Sequence, residues 1–376
     1  MAMFTDSSSW STVEAFLEKN DSQTSYWFHE TQWDELCRHA ADLAGQSQCV
    51  ALDQVTCGLN NITRVLEFPN KTCWIARIHI RRSSSPFDSS ASLKSEIATM
   101  QFIKEQSDLP VPRVFGYDTN EENPVGSAYI LMEVLPGIAA MDALGGYKVH
   151  RGVIARGRRQ NFYRSVAKCH VQITSLRLPK IGTIVRNSKG GYESGPFKRG
   201  KEEIMNIMKL TPSFSPEKMV EIIENFLSQM KAIASQLSSY NEGPFPLDHD
   251  DFLHSNIMVN EDNFDVTGVI DWEGAWTVPW ELIGFPRFLS TLPACLGLPE
   301  NYDQHGQPLD EEEQETWRER GDYVVMVKSL EHADNLLSTG LSSKRMQTIA
   351  YAYRAYTCTG KLGTYDRVIE ELTRQA

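Results

Sequence analysis

Asp251, Asn256 and Asp271 are the residues whose types and spacing can do chemistry, in a stretch from Leu247 to Glu273 that reads LDHDDFLHSNIMVNEDNFDVTGVIDWE. The apolar run Asn256-Ile257-Met258-Val259, the polar turn-formers Glu261-Asp262-Asn263 and the alternating run Val266 to Ile270 predict a β-hairpin. Residues equidistant from the turn of an antiparallel hairpin lie side by side, which places Asn256 opposite Asp271. A carboxamide oxygen and a carboxylate then meet at one end of a rigid ribbon, and both are hard donors of the kind Mg²⁺ requires. Asp251, with His249 before it, brings a second carboxylate to the same end as a candidate base. Asp248 and Asp250 crowd that loop with further negative charge, which raises the cost of ionising all three.

The order His-x-Asp-x-x-x-x-Asn followed by an Asp, spelled here HDDFLHSN and IDWE, resembles the aminoglycoside phosphotransferase and choline kinase branch of the kinase-like phosphotransferases. The resemblance runs from about Gln48 to Leu289. It implies an α+β, bilobal, protein-kinase-like fold: an N-terminal antiparallel sheet with a helix, and a larger, mainly helical C-terminal lobe. The boundaries it suggests are a helical extension over 1–46, a nucleotide-binding lobe over 47–135 and a helical lobe over 136–376. It also implies ATP and Mg²⁺ as cofactors, with Asp251 catalytic, His249 bracing the loop, and Asn256 and Asp271 holding metal.

The elements that must position these groups come earlier in the chain. Three β-rich runs, Val50 to Thr56, Ile62 to Phe68 and Thr72 to Ile80, suit a meander. Gly58, Asn60 and Asn61 in the first turn tolerate left-handed backbone and let main-chain amides approach a phosphate. On the third run, Arg77 stands where the resembled family places a Lys for the α- and β-phosphates. A guanidinium can grip a phosphate and a carboxylate at once. The helix Leu93 to Gln106 carries Glu96 beside its apolar stripe, and the resemblance pairs Glu96 with Arg77. Ala128 to Val134 reads as a strand ending at Pro136-Gly137, which the resemblance makes the hinge between lobes. Glu133, Val134 and Leu135 are then adenine contacts through their backbones, with Met132 at the back of the pocket.

In the second half, Arg159 to Leu176 and a helix opening at Ser215-Pro216 have apolar stripes at helical spacing. Asp250 occupies a position where the resembled family commonly has Gly. Together with Glu273 and Trp276 it is a candidate for contact with the acceptor. Ser11 to Lys19 and Glu30 to Ala44 read as amphipathic pieces packed outside the first lobe, without chemistry.

Composition bounds the rest. A net charge of −12 argues against a nucleic-acid partner, and 41% hydrophobic with 23% charged residues suits a globular chain. Seven scattered cysteines without Cys-x-x-Cys pairs suit reduced thiols. With no basic and apolar leader at the start and no membrane-length apolar run, the expected setting is the cytoplasm, with no membrane partner. The expected activity is ATP-dependent transfer of a γ-phosphoryl group to a hydroxyl of a small molecule. Arg77 and Asp250 keep open a pseudokinase that binds nucleotide, and an enzyme that uses ATP to activate another group.

Overall fold

The computed structural model describes residues 9–80, 89–196, 216–354 and 365–375. The connection expected over Ser83 to Ser92 and the cap expected at Ser215 fall largely or wholly outside the described residues. In chain order the elements are β1 (Ser11–Thr12), α1 (Val13–Lys19), α2 (Ser22–Glu30), α3 (Trp33–Ala44), β2 (Val50–Cys57), β3 (Asn61–Glu67), β4 (Cys73–His79), α4 (Ser89–Gln106), β5 (Val114–Asp118), β6 (Tyr129–Glu133) and β7 (Ile138–Ala139). There follow α5 (Arg156–Ser175), β8 (Arg177–Leu178), β9 (Gly182–Arg186), β10 (Tyr192–Ser194), α6 (Pro216–Leu237), β11 (Phe245–Asp248), β12 (Ile257–Val259), β13 (Val266–Val269) and β14 (Trp276–Thr277). Helices α7 (Glu311–Leu330), α8 (Leu336–Ser342), α9 (Lys344–Arg354) and α10 (Tyr365–Gln375) end the chain. The α+β class expected from the sequence is the one observed.

Contacts divide the chain into two compact units. The first comprises Met1–Ser165, Ile184–Tyr192 and His249–Ala275; the second comprises Val166–Thr183, Glu193–Asp248 and Trp276–Ala376. The hairpin around Asn256 falls in the same unit as the N-terminal sheet.

In the first unit six antiparallel strands run in the order β1-β2-β3-β4-β6-β5. Alternation decides which side chains enter the core: Ile62, Ala76, Ile78 and Leu131 are fully buried. The N-terminal helices are part of this core rather than a coat outside it. Phe16 of α1, Phe28 of α2 and Leu36 and Ala40 of α3 share one buried cluster with the sheet. Thr12 and Asp21 cap α1 and α2 by accepting from Ala15 N and Thr24 N. A smaller sheet, β13-β12-β7, carries the hairpin. At its margin Gly137 has φ +95, and a Cβ there would meet the Val259 carbonyl at 2.3 Å, so only glycine lets the chain pass.

In the second unit β14 pairs with β11 and with the start of β9, and β11 pairs with β8. Phe226 and Leu237 of α6 form a core with Ile349 and Ala352 of α9 and Val368 and Leu372 of α10. No helix among the described residues is long and apolar enough to cross a membrane.

His170 on α5 is buried, with Nδ1 3.0 Å from the Tyr323 hydroxyl. Burial, with the Arg354 charge adding to it, holds its imidazole down to about 3 from an ordinary 6.5. A group depressed in the folded state contributes stability above its unfolded value and loses it as pH falls. Between pH 6.5 and 3 the unfolded chain binds a proton that the folded one excludes. Lowering the pH from 7 to 5 is expected to remove up to about 2 kcal/mol through this group. Urea unfolding of the parent and of His170→Leu checks it: the variant should show a shallower loss over that range.

Candidate functional site

The hairpin does bring Asn256 and Asp271 to one end, but in a different register from that expected. Ile257 pairs with Val269, and the Ile270 amide donates to the Asn256 carbonyl at 2.9 Å, so Ile270 lies opposite Asn256. Asp271 is one residue further on and adopts φ +62, a left-handed conformation that turns the chain back after the strand. A shift in register between Met258 and Val259 shows that equidistance from the turn is not maintained along the ribbon.

The loop before β12 is built around Asn256, itself buried. Its Nδ2 donates to the Asp251 carbonyl at 3.0 Å and to Asp251 Oδ2 at 3.1 Å. The Asp251 amide donates to the His249 carbonyl at 2.8 Å, and the Leu253 amide to the Asp251 carbonyl at 2.9 Å, which winds the loop tightly. His249 is buried; its Nε2 lies 3.0 Å from the Ile270 carbonyl and its ring 4.5 Å from that of Trp272. A carbonyl only accepts, so Nε2 carries the proton, and the imidazole ties the loop to the end of β13. Between them Asp250 sits at φ +66, where a glycine would be unstrained. Asp is among the few residues that visit this region, and its side chain lies near the Gly274 backbone.

The sheet supplies the cation. Arg77 on β4 is nearly buried and meets three carboxylates: Nη1 donates to Glu96 Oε1, while Nη2 reaches Asp271 Oδ1 at 2.7 Å and Glu273 Oε2 at 3.4 Å. Burial acts to lower the guanidinium, but Glu96, Asp271 and Glu273 together hold it above its usual range. Burial pushes the Glu96 carboxyl up to about 8 against the opposing pull of Arg77. The expected Arg77–Glu96 pair is therefore present, and it extends directly to Asp271.

Glu273 is gripped from the other side by the β2–β3 turn. Asn60 Nδ2 donates to Oε1 at 3.0 Å and Asn61 Nδ2 to Oε2 at 3.2 Å. Behind them His79 Nδ1 lies 3.4 Å from Asn61 Oδ1, and burial holds that imidazole below its ordinary value. The turn closes through the Gly58 amide donating to the Asn61 carbonyl at 2.9 Å. The tolerance of Gly58, Asn60 and Asn61 for left-handed backbone is not used: none of the three has positive φ, and a Cβ added to Gly58 would meet nothing within 4 Å. The turn is held by amide side chains on a carboxylate instead.

These groups surround one cavity of about 550 Å³ in the first unit. Gly58, Asn60, Asn61, Arg77, Met132, Glu133, Val134, Leu135, Asn256, Asp271 and Glu273 line it. Glu96 is behind Arg77, buried, and Asp251 does not line the cavity itself but is hydrogen-bonded to Asn256, which does. The Glu133 amide is committed to the Arg113 carbonyl at 2.9 Å, which removes that N–H from any hinge contact. Trp276 is not brought there. It is buried in β14 of the second unit, its ring 6.2 Å from that of Tyr353. Sequence reasoning missed Ser9 and Trp10, which also line the cavity; a tryptophan after the serine run Ser7-Ser8-Ser9 was the available signal.

A profile of the phosphotransferase enzyme family matches residues 59–277, from the β2–β3 turn to β14. A subtelomeric hrmA-associated cluster protein of Aspergillus fumigatus is 58% identical over 43 residues, a match covering 11% of this chain and 8% of that protein. The altered inheritance of mitochondria protein 9 of Saccharomyces cerevisiae is 28% identical over 132 residues, covering 32% of this chain and 20% of that protein. Among solved structures, an aminoglycoside phosphotransferase of Streptomyces rimosus is 15% identical with a TM-score of 0.44, covering 85% of this chain and 99% of that one. A macrolide 2'-phosphotransferase of Brachybacterium faecium is 13% identical with a TM-score of 0.42, covering 89% and 98%. With more than half its length matched by the family profile, the chain belongs to the phosphotransferase enzyme family.

Proposed function

We propose that the chain is a Mg²⁺-dependent phosphotransferase that moves the γ-phosphoryl group of ATP to a hydroxyl of a small molecule. The observation that carries this reading is the convergence of Arg77, Asn256 and Asp271 on one cavity, with Asp251 hydrogen-bonded to Asn256 at its edge. Phosphoryl transfer asks a protein for positioning and charge neutralisation, and this set offers both.

The donors fit a magnesium ion. Asp271 remains 41% exposed in its side chain while it pairs with Arg77, and the Asn256 amide oxygen adds a neutral hard donor. Among the described residues no cluster of three or more His, Cys, Asp or Glu could enclose a metal alone. Magnesium bound to a nucleotide takes most of its ligands from phosphates and water, so two protein oxygens suffice. When bound, Mg·ATP would supply the transferable phosphoryl group with its charge partly neutralised.

The side chains divide the remaining work. Asp251 accepts or orients the proton of the attacking hydroxyl, and Asn256 holds that carboxylate in place. Glu96 fixes the Arg77 guanidinium on the phosphate side. Asn60 and Asn61 hold the β2–β3 turn through Glu273, where it would cover the phosphates of a bound nucleotide. His249 is a positioning residue, because its protonated nitrogen is used on the Ile270 carbonyl. Met132 and Leu135 give the adenine an apolar wall.

The 2.7 Å pairing of Arg77 with Asp271 favours a second reading, a nucleotide-binding module with altered turnover, since the same carboxylate serves a guanidinium and a metal. Thermal unfolding with ATP separates the two. On the kinase reading, Mg·ATP at about one hundred times its Kd stabilises the fold by about 2.7 kcal/mol, EDTA removes most of the effect, and Asp271→Ala removes the metal dependence. A shift indifferent to Mg²⁺ supports the second reading, and no shift at saturating nucleotide contradicts both.

A further inference from the structure

The second unit contains its own cavity, of about 430 Å³, enclosed by the segment after β14, by α7 and by α8 and α9. Its charge is opposite to that of the chain. Arg320, Lys344 and Arg354 line it, and no Asp or Glu is among the described lining residues, although acids outnumber bases by 12 overall. Lys344 is paired at 3.1 Å with Glu371, outside the lining. Arg354 Nη1 donates to the Phe285 carbonyl at 3.2 Å.

Arg320 is the residue that needs an explanation. Its guanidinium stacks 4.2 Å from the Phe285 ring centroid and 5.9 Å from that of Trp317, and Nη1 donates to the Thr291 hydroxyl. No carboxylate among the described residues forms an ion pair with it. Burial alone lowers it to about 10 from an ordinary 12.5, as is expected of a cation withdrawn from water without a counter-charge. Stacking on aromatic faces compensates only part of that cost. The Trp317 Nε1–H beside it is buried and meets no acceptor among the described residues. A guanidinium without an anionic partner and an indole N–H without an acceptor among the described residues thus share an aromatic-walled space large enough for a bicyclic molecule.

We propose that this cavity is a binding site for a planar organic anion, its carboxylate or phosphate held by Arg320 and Trp317 Nε1–H and its flat body packed against Phe285 and Tyr351. The site is built from the second unit and is independent of the nucleotide reading.

Titration calorimetry on the full chain with 2-naphthoate, 2-naphthyl phosphate and the neutral 2-naphthalenemethanol tests it. Saturable binding of at least one anion is expected, with the alcohol weaker by about tenfold or more. The tighter of the two anions identifies the head group, and a preference in either direction supports the site. Arg320→Met should weaken the anions by about tenfold and leave the alcohol unchanged, and Arg320→Lys, which keeps the charge, should fall between. Trp317→Phe, which leaves Arg320 in place, should weaken the anions by a smaller factor. Equal binding of anion and alcohol, equal anion affinity in the parent and in Arg320→Lys and Trp317→Phe, or one-for-one displacement of the anion by ATP would each overturn the proposal.

Discussion

Asp251→Asn is expected to lower turnover by about 10²- to 10⁴-fold, the range for loss of a positioned general base, with nucleotide binding retained. The reason for expecting so clean a separation is structural. Asn256 Nδ2 contacts both the main-chain carbonyl and the carboxylate of residue 251, so the carbonyl contact survives the substitution. The two amides after it in the loop bond to carbonyls and do not depend on the Asp251 charge. Steady-state kinetics and the ATP-induced thermal shift, measured on the same preparation, check the two halves together. Unchanged turnover would remove Asp251 from the reaction, and a lost thermal shift would make it a structural residue of the nucleotide cavity.

Arg77→Met should be the most destabilising single change in the first unit. It removes the one cation shared by Glu96, Asp271 and Glu273 and leaves the buried Glu96 without its partner. Breaking such a pair from one side costs about 3–5 kcal/mol when the remaining charge must stay ionised. The cost depends on pH in a defined direction. The Glu96 carboxyl lies at about 8 in the fold against an ordinary 4.5, so the fold prefers it protonated, and that contribution is lost as pH rises through 8. Arg77 opposes that rise, so without it burial raises Glu96 further, and the variant loses more than the parent as pH rises. Denaturant unfolding at pH 6 and pH 9 should therefore show the larger deficit at pH 9. Arg77→Met combined with Glu96→Leu should recover much of it, because neither charge is then stranded. A deficit equal at both pH values, or no recovery in the pair, would contradict this account of the cluster.

Much of this architecture was legible because local and long-range signals agreed. Alternation set β2, β3 and β4 to within a residue or two, and an apolar stripe with Glu96 beside it placed α4. The family resemblance pointed to Arg77, Asn256 and Asp271, and all three line one cavity. Other features depend on tertiary facts that no spacing encodes. Asn256 faces Ile270 because Asp271 turns left-handed and the ribbon slips register, and a count of residues to the turn contains neither fact. The N-terminal helices looked peripheral because each stripe is short, yet Phe16, Phe28 and Leu36 enter one core from three different helices. Trp276 was a candidate as a large aromatic that could wall the acceptor cleft, but it is buried in β14. The cavity around Arg320 is assembled from segments tens of residues apart, and no motif announces it.

The claim at the centre of this account is that the Asp251–Asn256–Asp271 constellation transfers the terminal phosphoryl group of ATP to a hydroxyl. Its most direct test is to follow γ-labelled ATP with Mg²⁺ and a panel of hydroxylated small molecules, and to identify both the nucleotide and the labelled product. The account predicts ADP and a labelled phosphate monoester of at least one acceptor, both lost in Asp251→Asn; AMP with pyrophosphate, or label transfer that survives Asp251→Asn, would contradict it.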